Sequence, residues 1–474
     1  MVNIYLMTII VYALFLIGMG YFIGKHVKGA ADFFVGSRDF GWPLLFTTLI
    51  AANIGAGSTV GVTGLAYRYG VSSWWWIGCS GLGSLLLAYV VGPKIWEAGK
   101  KYNLYTMGDY LDMRYARAFR AVTSTMMAVG TLALFSGQLI GIAWILDVVA
   151  GIDKIYGIII GAVVVTLYFS AGGLRSAAIV NILELAVILL GFIVATPFAL
   201  SYVGGFSGLQ STIAQNMNNV AHTSAYFAWD GIGYTTIIGY FLMLTPAFCI
   251  SPGLIGKVYS AKNTKAVKIG TLLNGIVQLL FAFLPLIIGM CAYAAFPELK
   301  NPELALPTAM KEMMPFSIAA LALAAIFAAE VSTADTVLFM LATSISKDLY
   351  KTFFKPEATD TQLLAFSRKA TVVCGIVGIV VAHFMANIIT ALSIFYSLMT
   401  VSLAAPFLFG LFSTKASTKG AFCSAGIGVL LTLFLQFTQG GKGPWLLNAT
   451  STGIIVASVM MFLSLYLFPK KSKE

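Results

Sequence analysis

The chain has 474 residues, of which 59% are hydrophobic and only 10% are charged, and its mean hydropathy is +0.89. Soluble proteins carry about 25% charged residues, so this composition excludes a soluble domain and predicts an all-α polytopic membrane protein. The net charge of +11 alone would be compatible with nucleic-acid binding, but the positions of the basic residues exclude that partner.

Apolar segments of about 20 residues, each long enough to cross a bilayer, recur along the whole chain. The first, IYLMTIIVYALFLIGMGYFIG, has no basic leader and no small-residue cleavage site, so we expect it to be retained rather than removed as a signal peptide. We predict about thirteen transmembrane helices. They lie near residues 4–24, 42–67, 72–98, 118–149, 153–170, 177–204, 226–256, 265–296, 315–346, 364–385, 388–412, 418–437 and 446–468.

The basic residues predict the orientation, because Lys and Arg concentrate in cytoplasmic connections. With the N-terminus outside, 24 of them fall in inner connections and five in outer ones, which together are the 29 of the chain. The inner ones include Lys25, Lys28, Lys257, Lys471 and Lys473. An odd number of helices then places the C-terminal KKSKE inside. We therefore expect a multi-pass protein of the plasma or inner membrane, with the lipid bilayer around it, no nucleic-acid partner and no obligate protein partner.

The second predicted helix contains the polar, glycine-rich stretch LIAANIGAGSTVG at residues 49–61. Glycine costs about 1 kcal/mol relative to alanine inside a helix, and hydrocarbon penalises groups such as Asn53, Ser58 and Thr59. Two interpretations remain open: close packing through small residues, or a helix break that frees backbone carbonyls to coordinate a cation and a solute.

The ninth predicted helix contains LALAAIFAAEVSTADTVLFMLATSISKDLYK at residues 321–351. Ala329, Ser332 and Thr333 are spaced i, i+3 and i+4, so they share one face of the helix. That face offers one carbonyl and two hydroxyl oxygens, which suit a weakly held monovalent cation. The alternative is that both hydroxyls bond only to their own helix backbone, although the acids Glu330 and Asp335 beside them favour a functional role.

The seventh predicted helix, FLMLTPAFCISPGLIGKVYSAKN at 241–263, contains Pro246, Pro252 and Gly253, which disturb a helix. It comes five helices after the glycine-rich one. Two broken helices at this separation indicate two five-helix halves of inverted topology.

Five segments together resemble the sodium/solute symporter family, which includes carriers of glucose, proline, pantothenate, monocarboxylates and choline. The most specific segment is AAEVSTADTVLFMLATSISKDLY, in which small residues, a Ser-Thr pair and an Ala-Asp pair precede a turn that ends in Lys-Asp-Leu-Tyr. The segments are ADFFVGSRDFGW, LIAANIGAGSTVG, TMGDYLDMRYAR, AGGLRSAAIVNILE and AAEVSTADTVLFMLATSISKDLY.

The resemblance implies a LeuT-like core of two inverted five-helix repeats, whose first and sixth core helices are broken. It implies a single transporter domain over residues 1–474. Its parts would be an extra N-terminal helix at 4–24, a first repeat at 42–204, a second repeat at 226–412 and two C-terminal helices at 418–468.

The resemblance also implies a sodium site. The family uses two carbonyls at the first break, which match Ala51 and Ile54, and oxygens of the eighth core helix, which match Ala329, Ser332 and Thr333. The coupling cofactor would be a sodium ion. We expect Asn53, Gly57 and Ser58 to face the solute.

Two positions depart from the family pattern. Many members carry an acid where this chain has Asn181, so an additional ion there is doubtful. Glu330 is unusual at its position, and it could pair with a cationic solute, accept a proton or bond to a neighbouring helix.

Sugar carriers have an acid-amide pair where this chain has Gly57-Ser58, which disfavours a sugar. Gln138 and Ser251 join Asn53, Ser58 and Glu330 as candidate solute contacts and suggest a polar or amine-bearing molecule.

The sequence thus predicts a sodium-coupled symporter, not an enzyme, that imports a small organic solute such as an amino acid, a carboxylate, a vitamin-like compound or an amine. A proton-coupled carrier that uses Glu330 is the alternative within transport. A channel or a transporter-like sensor is the alternative from another class, but we find no selectivity-filter motif and no signalling domain. A membrane enzyme would need a nucleophile with a base, a metal cluster or a phosphate loop, and the sequence shows none.

Overall fold

The computed structural model of the chain describes residues 3–24, 35–170 and 173–470, which form helices and no β-strand. The predicted inner residues Lys25, Lys28, Lys471 and Lys473 lie outside the described residues. So do parts of the ADFFVGSRDFGW and AGGLRSAAIVNILE segments.

Twenty-two α-helices follow one another along the described chain. They are α1 Ile4–Gly24, α2 Trp42–Asn53, α3 Val62–Tyr69, α4 Trp74–Leu86, α5 Gly92–Lys101, α6 Met107–Arg114, α7 Arg117–Ala150, α8 Lys154–Ser170, α9 Gly173–Tyr202, α10 Gly205–Met217, α11 Val220–Phe227, α12 Tyr234–Ile250, α13 Pro252–Tyr259, α14 Thr264–Phe281, α15 Phe283–Ala295, α16 Ala305–Glu312, α17 Phe316–Thr343, α18 Asp360–Phe384, α19 Ile388–Met399, α20 Ala405–Phe412, α21 Thr418–Thr438 and α22 Ala449–Leu467. Wider turns at Gly57–Gly61, Leu87–Val91, Ser344–Phe354 and Thr400–Ala404 continue several of them.

Apolar helices lie in all thirteen predicted segments. Ten continuous helical stretches are long and apolar enough, and three shorter apolar helices occupy 4–20, 42–53 and 154–167. One of the ten runs over 57–101 and includes parts of two predicted helices, because the turn Gly70–Ser73 joins α3 to α4 without a gap. The prediction of an all-α multi-pass protein is confirmed.

Both predicted helix breaks are present. Helix α2 ends at Asn53, and Ile54 is extended, with φ −99° and ψ 92°. Helix α12 ends at Ile250, and Ser251 turns the chain at φ −52° and ψ 126° before Pro252 begins α13. Proline fits this position because the first turn of a helix needs no N–H donor. The interruptions follow from the local sequence as expected, whereas the limits of the two repeats remain a prediction.

The connection 205–225 contains α10 and most of α11, and Leu209 and Ile213, four residues apart, are buried on one face of α10. One expectation about the connections was wrong. Lys257, assigned above to an inner loop, lies in α13 and is only 1% exposed. The helix continues beyond the predicted limit of 256 because it restarts at Pro252.

A network of buried charges ties the predicted inner ends of three segments together. Arg120 of α7 donates to Asp109 of α6 at 2.9 Å and to Asp348, in the turn after α17, at 2.7 Å. Lys347 donates to Asp109 at 2.7 Å, and the Thr106 hydroxyl donates to Asp348 at 2.6 Å. The network therefore couples the α6 connection to the end of the helix that carries Ser332 and Thr333.

Asp109 is the acid at the centre of this network. Burial alone would raise its pKa, but Lys347 and Arg120 outweigh burial and lower the pKa below its usual value. A carboxylate with a lowered pKa in the folded state stabilises the fold above its unfolded pKa of about 3.9. That stabilisation is lost as the pH falls through the folded pKa.

Replacement of Arg120 by Met should destabilise the protein by roughly 3 kcal/mol, because it leaves Asp348 buried without its strongest cation. Thermal unfolding of the purified protein in detergent measures the effect. Arg117→Met is the matched control, since Arg117 is exposed on the same helix. Equal unfolding temperatures for the two variants would show that the network contributes nothing to stability.

Candidate functional site

The break between α2 and α3 lies directly against α17. The Thr333 hydroxyl lies within hydrogen-bond distance of two carbonyl oxygens, that of Ala51 at 3.0 Å and that of Ile54 at 3.1 Å. The Ser332 hydroxyl faces the carbonyl oxygens of Ala51 at 3.2 Å and Ala329 at 3.1 Å. The five residues that the family resemblance implied as sodium ligands therefore lie together, and Ala329, Ser332 and Thr333 share the face that their spacing predicted; sodium binding there stays a prediction.

This oxygen cluster has more acceptors than donors. A hydroxyl has one proton to donate, so Ser332 and Thr333 together offer two protons to three carbonyl oxygens. The surplus lone pairs are buried, since Ala51, Ala329 and Ser332 are 0% exposed. Such a cluster of neutral oxygens suits a hard monovalent cation. Among the described residues there is no group of three or more His, Cys, Asp or Glu side chains that could hold a metal ion.

Side chains from nearby compensate the broken backbone, as buried polar groups require. The Ser58 hydroxyl accepts from the Gly55 amide at 3.0 Å and lies 3.0 Å from the Asn53 carbonyl oxygen. The Ala56 amide donates to Oε1 of Gln138 at 2.8 Å. These bonds leave the carbonyls of Ala51 and Ile54 directed at α17, so the break is a defined structure and not a local disorder of the helix.

A small cavity of about 60 Å³ lies beside the break. Five of the six predicted solute contacts line it: Asn53, Gly57, Ser58, Gln138 and Ser251. Gly55 and Thr333 also line it, so the oxygen cluster and the cavity share a wall. Through this shared wall, binding of a cation in the oxygen cluster can be linked to binding of a solute in the cavity.

Aromatic side chains form the other side of the cavity, and the sequence analysis did not identify them. Trp76, Phe248 and Tyr396 line it, with ring centroids 6.3 Å apart for Trp76 and Tyr396 and 5.6 Å apart for Phe248 and Tyr396. They come from α4, α12 and α19, which are distant in sequence. No spacing rule brings such residues together.

Glu330 does not line the cavity. Its Oε1 accepts from the Thr59 hydroxyl at 2.9 Å, and its other carboxylate oxygen faces Gly141. Of the three roles considered above, the structure displays the bond to a neighbouring helix. The assignment of Glu330 as a solute contact has no support in this geometry.

Asn181 and Asp335 lie on the predicted inner side of the oxygen cluster. The Asn181 amide is 3.5 Å from the Thr48 hydroxyl, and in the orientation that satisfies both amide atoms its nitrogen donates to Glu184 at 2.9 Å. Asp335 accepts from the Thr336 hydroxyl at 3.1 Å. With Thr48, Glu184 and Thr336 they form a second polar cluster.

Comparison with known proteins places the chain among carriers. The model of the sodium:solute symporter family matches residues 33–428. The chain belongs to this family. The predicted family is therefore confirmed, and the relatives it matches are transporters.

Individual relatives agree with this assignment over most of their length. The chain is 29% identical to the sodium/pantothenate symporter of Escherichia coli K12, over 86% of this chain and 85% of that protein. It is 23% identical to the sodium/glucose cotransporter of Vibrio parahaemolyticus, over 91% of this chain and 85% of that protein.

Solved structures share the fold. An outward-open, substrate-bound sodium-coupled sialic acid symporter matches with a TM-score of 0.82 at 19% identity, covering 98% of this chain and 99% of that one. The nucleobase-cation-symport-1 family transporter Mhp1, in a closed conformation, matches with a TM-score of 0.60 at 13% identity, covering 93% of this chain and 94% of that one. The predicted LeuT-like core is confirmed.

Replacement of Gly55 by Ala should destabilise the break by about 1–3 kcal/mol, as overpacking does in close-packed interiors. A Cβ at residue 55 would lie against the Thr333 hydroxyl and 2.7 Å from Oε1 of Gln138. Thermal unfolding tests this, with Gly426→Ala as the control because a Cβ there meets nothing within 4 Å. A Gly55→Ala protein as stable as the control would contradict the close approach of the break to α17.

Proposed function

We propose that this family member is a sodium-coupled symporter that imports one small organic solute. The observation that carries the proposal is the meeting of the Ala51 and Ile54 carbonyls with the Ser332 and Thr333 hydroxyls at 3.0–3.2 Å. Sodium would bind among these oxygens and the Ala329 carbonyl, and replace the hydrogen bonds that now join them. The orientation we propose has the N-terminus outside and the C-terminus in the cytoplasm.

The shared wall suggests how sodium and solute are coupled. Sodium at the five oxygens would fix the break relative to α17. The same break places Asn53, Gly55 and Gly57 along the cavity, so sodium would organise one side of the solute site before the solute arrives. A ligand shifts an equilibrium only through its preference for one state, and the fixed break is the state that both ligands would prefer.

The driving force is sufficient for accumulation. One elementary charge that crosses 100 mV is worth about 2.3 kcal/mol. That energy corresponds to roughly fifty-fold accumulation of a neutral solute, since each 1.4 kcal/mol is worth a factor of ten. The sodium concentration gradient adds to this value.

The cavity supports a solute with an apolar body and a polar end. Among the described residues, no charged side chain lines the cavity, whereas Trp76, Phe248 and Tyr396 supply aromatic surface. The helix ends at the two breaks carry partial charges of both signs, which suits a zwitterion or an uncharged polar group. Amino acids, small carboxylates and vitamin-like compounds fit this description better than a sugar.

The double variant Ser332→Ala/Thr333→Val should raise the sodium concentration that gives half-maximal stabilisation by tenfold or more, because it removes two of the five ligands. The measurement is the unfolding temperature of the purified protein across a sodium chloride series, with potassium chloride at equal ionic strength as the ion control. Thr343→Val is the matched variant, since the Thr343 hydroxyl is buried further along α17 and has no hydrogen-bond partner among the described residues. Unchanged sodium dependence in the double variant would place the ion elsewhere.

Sodium should increase the stabilisation that the true solute gives. A thermal-shift screen of amino acids, carboxylates, vitamin-like compounds and quaternary amines, each in sodium and in potassium, identifies the class. We expect the true solute to raise the unfolding temperature more in sodium than in potassium. In the Phe248→Ala variant the increase caused by the solute should be smaller, whereas the increase caused by sodium alone should be unchanged. A hit with equal shifts in both salts would argue against coupling.

Proton coupling through Glu330 is the remaining alternative within transport. The Glu330 carboxylate bonds to Thr59 away from the cavity, so we expect Glu330→Gln to leave the pH profile of uptake unchanged. A proton-driven carrier would instead lose its pH dependence in this variant.

A further inference from the structure

Lys257 is a buried cation that the proposed transport cycle does not use. It lies in α13, the half-helix that follows the second break, and is only 1% exposed. A buried ammonium group inside a membrane bundle requires partners that compensate the loss of water. The residues that contact this ammonium therefore indicate what role the lysine has.

The ammonium is held by the same two segments that form the sodium site. Lys257 Nζ donates to the Thr48 carbonyl oxygen at 2.6 Å and to the Thr336 hydroxyl at 3.1 Å. Thr48 precedes Ala51 by three residues on α2, and Thr336 follows Thr333 by three residues on α17. Three residues of helix rise about 4.5 Å, so the ammonium lies about one turn inward of the five oxygens.

The two positions offer a cation the same kinds of ligand. In each, a backbone carbonyl of α2 and a hydroxyl of α17 face each other across the helix contact. The inner position also has acids nearby: the charge of Asp335 acts on the Lys257 ammonium and on Glu184. An oxygen-rich, acid-containing position of this kind would attract a free cation if it were vacant.

We propose that the Lys257 ammonium fills a second cation position on the inner side of the sodium site, so that the protein binds a single sodium ion. This inference rests on the proposed sodium site. Lys257 would then determine how many sodium ions the protein binds, because its positive charge occupies the position of a second sodium ion.

Lys257 also links the inner parts of both broken helices to α17. The Phe40 amide donates to the Ser260 carbonyl at 3.0 Å, and the Lys262 amide donates to the Phe40 carbonyl at 2.9 Å, which joins the start of α2 to the end of α13. The lysine side chain extends this joint to Thr336. A cation that is part of the α13 side chain stays with that helix, whereas a sodium ion at the same position could leave.

The test is the number of sodium ions bound per protein, measured with radiolabelled sodium on the purified full-length chain at saturation. We expect one ion for the unmodified protein and two for Lys257→Ala, which opens the inner position. Lys257→Arg keeps the charge and should bind one. Lys262→Ala, which removes an exposed lysine just after α13, is the matched control and should also bind one.

A combined variant separates the two positions. Lys257→Ala with Ser332→Ala and Thr333→Val should retain one ion, bound at the inner position. One ion in Lys257→Ala, or two in the unmodified protein, would overturn the assignment of Lys257 while leaving the five-oxygen site intact. No ion in the unmodified protein would overturn the proposed function itself. Each variant is first checked for a single symmetric peak in size-exclusion chromatography, and Lys257→Ser replaces Lys257→Ala if the latter aggregates.

Discussion

Unpaired backbone groups inside a membrane must find partners within the protein, and the proposed ion site of this symporter depends on that constraint. Hydrocarbon offers no hydrogen bonds, so irregular backbone persists only where other groups satisfy it or where it lines a cavity. Here Ser58 and Gln138 satisfy the amides of the first break, and α17 satisfies its carbonyls. The carbonyls that point at Ser332 and Thr333 are thus a consequence of the break and, at the same time, the means of binding a cation.

The same arrangement connects ion and solute without a long pathway. The break is a wall of the cavity, and α17 contributes Thr333 to both the oxygen cluster and the cavity. Further inward, α2 and α17 hold the Lys257 ammonium between them, and beyond it the network around Asp109 and Arg120 fixes the end of the α17 segment. Three layers of polar contact therefore follow one another between the cavity and the predicted inner face.

Local chemistry made the breaks and the oxygen face predictable. Glycines and prolines mark the interruptions, and the i, i+3, i+4 spacing fixes which atoms of residues 329, 332 and 333 share a face. Contacts across the fold were not predictable in this way. The Asn53 amide bonds to Asn274, 221 residues away, and the aromatic side of the cavity combines rings from three helices.

The position of Lys257 was predicted wrongly, because counting charges by connection assigns a lysine near a helix end to the loop. Pro252 suits the first turn of a new helix, and a helix that begins there continues past residue 256 to Tyr259.

Hydrogen exchange at the first break, compared in sodium and in potassium, tests the central claim most directly. If a cation closes the oxygen cluster, sodium should slow exchange of the amides of residues 54–59 and of residues 328–336, and potassium should not, with the solute absent in both cases. Equal exchange in the two salts at these segments, or protection by sodium confined to other helices, would contradict the account.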